Sequence, residues 1–157
     1  MALAATLLLR SAEAASAYRV HVRGTAAATI QAAIEGAARR LGRPECARIL
    51  ADFSDASGHS LEANAAALGQ DAAGYLGLIV FGDGVGDARC AHAGVLAITE
   101  PGSRVVHFCP QFARKQQREP AVAETVVIHE ALHSLGLGEN PPSSAEITAR
   151  VFDRCGH

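Results

Sequence analysis

The segment from Val127 to Glu139 reads VIHEALHSLGLGE, and it decides how this sequence is interpreted. It contains the pattern His-Glu-x-x-His, in which His129 and His133 are four residues apart. Apolar residues surround the pattern at helical spacing, which predicts a mostly buried helix from Ala121 to Leu135. On a helix, positions i and i+4 lie on one face, so both imidazoles can bind one metal ion. Neutral imidazole is a good ligand for Zn²⁺, and zinc is therefore the predicted cofactor.

Glu130 follows the first histidine and gives the segment its predicted chemistry. A carboxylate at this place can reach a zinc-activated water molecule without binding the metal itself. The simpler alternative is a pair of hydrogen-bonded core histidines. Because burying two histidines and a glutamate without partners is costly, the apolar context favours the metal site. We therefore predict His129 and His133 as zinc ligands and Glu130 as the general base.

The longer pattern His-Glu-x-x-His-x-x-Gly-x-x-Glu resembles the metzincin clan of zinc metallopeptidases. In that clan a glycine turns the chain after the helix, and a third ligand, usually His and sometimes Asp, follows three residues later. Gly136 holds the turn position here, and Glu139 holds the ligand position. The chain differs from the clan in that Glu139 replaces His or Asp. It also has no Met after Met1, whereas metzincins carry a methionine-containing turn beneath the zinc. We interpret it as a compact zincin with a metzincin-like motif.

A second carboxylate, Glu146, competes with Glu139 for the place of the third ligand. It would come from the next predicted helix, Ser143 to Asp153, as the third ligand does in the gluzincins. Ser143 and Glu146 also match the Ser-x-x-Glu capping box, which gives Glu146 a structural role. Glu139 is preferred, and the sequence leaves both residues open.

The rest of the chain carries alternating signals for strands and helices. Apolar alternation and short apolar runs predict five strands, namely Tyr18 to Arg23, Ala47 to Phe53, Leu76 to Phe81, Gly94 to Thr99 and Arg104 to Cys109. Helices are predicted from Thr25 to Leu41 and from Ser60 to Gly69, and a loop is predicted between Pro110 and Pro120. A Pro-Gly turn joins the last two strands into an antiparallel pair. The fold class is α+β with a mixed, mostly parallel sheet and an antiparallel edge strand. The resemblance implies a zincin-like three-layer arrangement with a backing helix and an active-site helix.

The four cysteines, Cys46, Cys90, Cys109 and Cys155, are even in number and widely spaced. They predict two disulfides, and the sequence does not choose among the three pairings. Residues 1–17 are interpreted as a truncated signal peptide with a cleavage site of the Ala-x-Ala type, and residues 18–157 as a single catalytic domain. Disulfides and a signal peptide together indicate a secreted or periplasmic protein. Lys115 is the only lysine beside many arginines, which is typical of a GC-rich bacterial genome.

Composition excludes several classes of partner. The net charge of −2 and the aromatic content of 4% argue against nucleic-acid binding. The apolar run from Met1 to Leu9 is too short to span a bilayer, which takes about 20 residues. A peptide or protein substrate is expected along the edge strand from Gly94 to Thr99, and a monomer is expected. The resemblance implies a zinc metalloendopeptidase, and the alternative is a non-catalytic, zinc-stabilised secreted binding domain.

Overall fold

The computed structural model describes residues 18–157, and the predicted signal peptide lies outside the described residues. Within this range the chain is α+β, with six α-helices and four strands. The helices are α1 (Ala26–Leu41), α2 (Pro44–Ala47), α3 (Leu61–Ala67), α4 (Phe112–Arg118), α5 (Pro120–Ser134) and α6 (Ser144–Cys155). The strands are β1 (Arg19–His21), β2 (Val80–Asp83), β3 (Ala97–Ile98) and β4 (Val105–Phe108).

The four strands form one mixed sheet in the order β1-β2-β4-β3. Strands β1, β2 and β4 pair in parallel, whereas β3 pairs with β4 in antiparallel orientation. Gly102, with φ of 79°, follows Pro101 in the turn between β3 and β4, where Ser103 N donates to Glu100 O at 2.9 Å. The sheet therefore confirms the expected mixed pairing with an antiparallel strand at one edge.

Helices α1 and α5 contribute most to the core beside this sheet. Helix α1 packs on β1 and along α5, while α5 also contacts β3 and β4. The side chains of Ile34, Phe81 and Ile128, from α1, β2 and α5, are fully buried. Because α5 is fixed by neighbours on several sides, it is a rigid support for polar groups. No helix among residues 18–157 has both the length and the apolar character needed to cross a membrane.

The predicted strand from Ala47 to Phe53 is wrong. Pro44 stands in the first turn of α2, where a proline suits a helix start, and a 3-10 helix from Arg48 to Leu50 follows. Ile49 and Leu50 are both buried although they are adjacent, which a strand with one solvated face does not allow. The helical turns bury both side chains on the core side.

Other segments also differ from the prediction. The apolar run from Leu76 to Phe81 begins inside a 3-10 helix, Gly74–Leu78, and becomes a strand only at Val80. Strands β1 and β3 are shorter than the predicted Tyr18 to Arg23 and Gly94 to Thr99.

The predicted loop before Pro120 contains α4. Its Phe112 and Gln116, one helical turn apart, are buried where α4 packs on α1 and α5. Packing by so few apolar residues leaves a weak signal in the sequence.

The four cysteines form two disulfides, as predicted. Cys46 pairs with Cys155 and joins α2 to the end of α6. Cys90 pairs with Cys109 and joins a 3-10 helix, Ala88–Ala91, to the residue after β4. Each bond therefore links two segments that are separated in the sequence but adjacent in the fold.

Candidate metal centre

The polar residues predicted for the site lie together on α5. His129, Glu130 and His133 are buried, with exposed fractions of 8%, 7% and 5%. Ile128 and Leu132 on the same helix are fully buried. Helix α5 is therefore apolar where it faces the core, and these three polar residues line one cleft.

A glycine turn ends α5 and sends the chain back towards the histidines. Gly136 has φ of 114°, a conformation that residues with a side chain rarely adopt. Gly136 N donates to His133 O at 2.8 Å, and Leu137 N donates to Leu132 O at 3.1 Å, which together make a Schellman motif. A Cβ at this position would also lie 3.1 Å from Asp55 Cβ. The turn needs a glycine, and it brings Leu137 and Glu139 beside His133.

The two imidazoles face one another through their Nε2 atoms. Nδ1 of His133 donates to Leu137 O at 2.7 Å, which leaves its Nε2 with a free lone pair. Nδ1 of His129 lies 3.1 Å from Thr148 Oγ1. The two Nε2 atoms are 3.0 Å apart. Both rings are therefore held by their outer nitrogens, the Nδ1 atoms. Their inner nitrogens, the Nε2 atoms, converge on one point.

Glu139 completes a group of three donors. Its Oε1 lies 3.2 Å from His133 Nε2 and 3.9 Å from His129 Nε2. Ligands about 2.0–2.1 Å from a tetrahedral ion are separated from one another by roughly 3.3 Å. The three donor separations bracket that value, so His129, His133 and Glu139 could hold a metal ion.

The competing carboxylate, Glu146, is engaged elsewhere. Its Oε2 accepts from Ser143 N at 2.8 Å and from Ser143 Oγ at 2.7 Å, and Ser143 Oγ accepts in turn from Glu146 N. This is the complete capping box at the start of α6. The structure thus brings Glu139, and not Glu146, to the two histidines.

Burial sets the protonation of the groups in the site. The pKa of His129 falls to about 4, chiefly because burial disfavours its charged form and also because His133 is close. His129 is therefore neutral near pH 7, in the form that binds metals. Burial also raises the pKa of Glu130 to about 7, and the charge of Glu139 adds to this rise, while Thr99 and His133 oppose it. A buried carboxyl group with a pKa near neutrality can both accept and release a proton.

A cleft of about 620 Å³ opens beside these groups. One wall is the segment from Gly94 to Thr99, the expected substrate strand, and α5 and the first turns of α6 lie opposite it. Arg89, His92 and Glu139 also line the cleft. The hydroxyl of Thr99 is buried, and apart from its interaction with Glu130 it has no hydrogen-bond partner in the described part of the chain. The cleft therefore connects the free edge of the sheet with the three-donor group and Glu130.

Two parts of the site were not predicted from the sequence. They are the partners of the outer ring nitrogens, the main-chain oxygen of Leu137 and the hydroxyl of Thr148. A carbonyl group leaves no signal in a sequence. Thr148 lies on the predicted last helix, but its contact with His129 depends on how α6 packs on α5.

Comparisons with protein-family models, with curated proteins and with solved structures found no match for this chain. Its function therefore has to be inferred from the donor group, the neighbouring carboxylate and the cleft.

Proposed function

We propose that this protein is a zinc-dependent metallopeptidase that hydrolyses peptide bonds. The observation that carries the proposal is the convergence of His129 Nε2, His133 Nε2 and Glu139 Oε1 at separations of 3.0 to 3.9 Å. Two nitrogens and one carboxylate oxygen form a donor set that suits zinc, and three protein ligands leave a coordination position open for catalysis. A structural zinc site usually has four protein ligands and needs no base. The open position and Glu130 thus favour an enzyme over a zinc-stabilised binding domain.

The arrangement of helices and strand around the cleft supports a zincin-like architecture. Helix α1 corresponds to the backing helix, α5 to the active-site helix, and β3 to the antiparallel edge strand. Residues 18–157 would then be one catalytic domain that contains little beyond these elements. The absence of a methionine after Met1 distinguishes it from metzincins.

The proposed chemistry assigns a proton-transfer role to Glu130. A zinc ion, when bound, supplies Lewis acidity towards a water molecule and a peptide carbonyl group. The Glu130 carboxylate lies in the same cleft, where it would accept a proton from the attacking water and pass it to the leaving amine. Its burial keeps bulk water away from the proton being transferred. Glu130 is thus the residue on which the rate of hydrolysis should depend most.

The free edge of β3 suits a peptide substrate. Within the described sheet β3 pairs only with β4, and its outer edge borders the cleft beside Glu130. An extended peptide can add to such an edge through main-chain hydrogen bonds, which do not depend on its sequence. A peptide bound there would run past the donor group.

The two disulfides fit an oxidising compartment, and we propose a secreted or periplasmic location in a bacterium. A monomer is sufficient for this function, because one chain supplies all three donors and Glu130.

The proposal is tested by measuring zinc content and proteolysis on the same preparation. We expect one zinc per chain by elemental analysis, and cleavage of fluorescently labelled casein. Cleavage should stop after removal of the metal with a chelator and return when Zn²⁺ is added. A chain that binds no zinc from solution would refute the proposal, and zinc without cleavage of any protein substrate would favour the binding domain.

The third ligand is tested with a matched pair of variants. Loss of a group that hydrogen-bonds a metal ligand typically weakens metal binding by up to roughly 100-fold. Glu139→Gln should weaken zinc binding by more than this, because it replaces a charged ligand itself. Glu146→Gln should leave the zinc dissociation constant unchanged and lower thermal stability only slightly, since glutamine still fits the capping box and only the favourable negative charge at the start of α6 is lost. The reverse pattern, measured by competition with a chromophoric chelator, would make Glu146 the ligand.

A further inference from the structure

We infer that Thr148 is a positioning residue for His129, so that its hydroxyl tunes the affinity of the site for the metal. This inference rests on the proposed zinc site and adds to it a residue from a separate helix. Thr148 Oγ1 lies 3.1 Å from His129 Nδ1, on the side of the ring opposite to the converging nitrogens. Among the described residues it is the one side chain that hydrogen-bonds the outer nitrogen of either histidine.

The hydrogen bond selects the ring form that a metal needs. When Nδ1 of His129 donates its proton to Thr148 Oγ1, the lone pair stays on Nε2 and points to His133 and Glu139. If the hydroxyl were absent, the proton could move to Nε2 and bond to His133, which lies 3.0 Å away. Metal binding would then require that proton to leave Nε2 before this nitrogen could act as a ligand. Such outer partners typically contribute 10- to 100-fold to metal affinity.

His133 has an equivalent partner that mutation cannot remove, because it is the main-chain oxygen of Leu137. Thr148 therefore offers the accessible test of whether the outer hydrogen bonds matter. It is exposed at the surface of α6 and lines the cleft, and its hydroxyl has no other hydrogen bond within residues 18–157. A threonine is a modest helix former, so its place on an exposed helix position has no obvious stability advantage.

The position of α6 does not depend on Thr148. The capping box of Ser143 and Glu146 fixes its start, and the bond from Cys46 to Cys155 fixes its end. Ile147 on the same helix is fully buried. Removing one hydroxyl from the exposed side should leave these contacts in place, so a change in metal binding can be separated from a change in folding.

The experiment compares Thr148→Val, which keeps the branched shape, with Thr148→Ser, which keeps the hydroxyl. Thr29→Val on α1 is the matched control for replacing a helical threonine. We measure the Zn²⁺ dissociation constant by chelator competition, the visible spectrum of the Co²⁺-substituted protein, and the melting temperature of the metal-free chain. We expect Thr148→Val to raise the dissociation constant 10- to 100-fold and to alter the Co²⁺ spectrum. Thr148→Ser and Thr29→Val should stay within about threefold of the parent, well below that range.

Three outcomes would overturn the inference. The first is a Thr148→Val variant with the zinc affinity and Co²⁺ spectrum of the parent. The second is equal weakening in the valine and serine variants, because the serine retains the hydroxyl. The third is weakening that matches a fall in the melting temperature of the metal-free chain, which would indicate a folding effect. A parent chain that binds no Zn²⁺ is a different result, since it removes the proposed function itself.

Discussion

Glu130→Gln should lower the rate of peptide hydrolysis by about 10²- to 10⁴-fold while zinc remains bound at the level of the parent. A positioned general base contributes a factor of this size, and glutamine keeps the shape of the side chain but cannot accept the proton. Glu130 is outside the three-donor group, so its replacement leaves His129, His133 and Glu139 intact. The measurement is kcat/KM on a fluorogenic peptide, with the zinc content determined on the same sample.

The control for this variant is Glu62→Gln, an exposed position in the first turn of α3. It makes the same chemical change outside the cleft, and it should keep full activity. A Glu130→Gln protein that still cleaves at more than a tenth of the parental rate would contradict the role of Glu130. If Glu130→Gln loses zinc as well as activity, Glu130 belongs among the ligands, and the division of roles proposed above is wrong.

The features that the sequence predicted correctly depend on local spacing. The helix that carries His129 and His133, the capping box at Ser143 and Glu146, and the turn at Pro101 and Gly102 are each contained within a few residues. Their physical causes, namely helical periodicity, side-chain capping and a backbone that needs glycine, act over the same short range. Each of these features can therefore be predicted from a few consecutive residues.

The features that were missed depend on contacts between distant segments. The apolar pattern from Ala47 to Phe53 suits either a strand or helical turns. The segment forms helical turns, next to Cys46, which is bonded to Cys155. Phe112 is the single fully buried apolar residue of α4, too little for a periodic signal. The sequence also could not predict which cysteines pair, or that Thr148 contacts His129, because these residues become neighbours only when the chain folds. Spacing alone could not choose Glu139 over Glu146 either, because both lie shortly after the helix.

Replacing Cys46 and Cys155 together by alanine should lower the free energy of unfolding by about 5 kcal/mol. The bond closes a loop over a sequence separation of 109 residues, and a cross-link that closes a longer loop removes more entropy from the unfolded chain. Both residues are fully buried, so the alanines also lose packing contacts. Domains of this size are typically stable by about 5–15 kcal/mol, so the loss would be a large share of the total.

The second disulfide is the matched control for this prediction. Cys90 and Cys109 close a loop over only 19 residues, for which the same relation gives about 3 kcal/mol. Guanidinium unfolding of the two double-alanine variants in the absence of metal should therefore rank Cys46–Cys155 as the more stabilising bond. If the short-loop variant were the less stable of the two, loop entropy would not be the main contribution here.

The effect of the two disulfides on the metal site should also differ, because Cys155 ends the helix that carries Thr148. Loss of the long-range bond should weaken zinc binding together with stability, whereas loss of the other bond loosens the cleft wall around Arg89 and His92 and leaves the three donors in place.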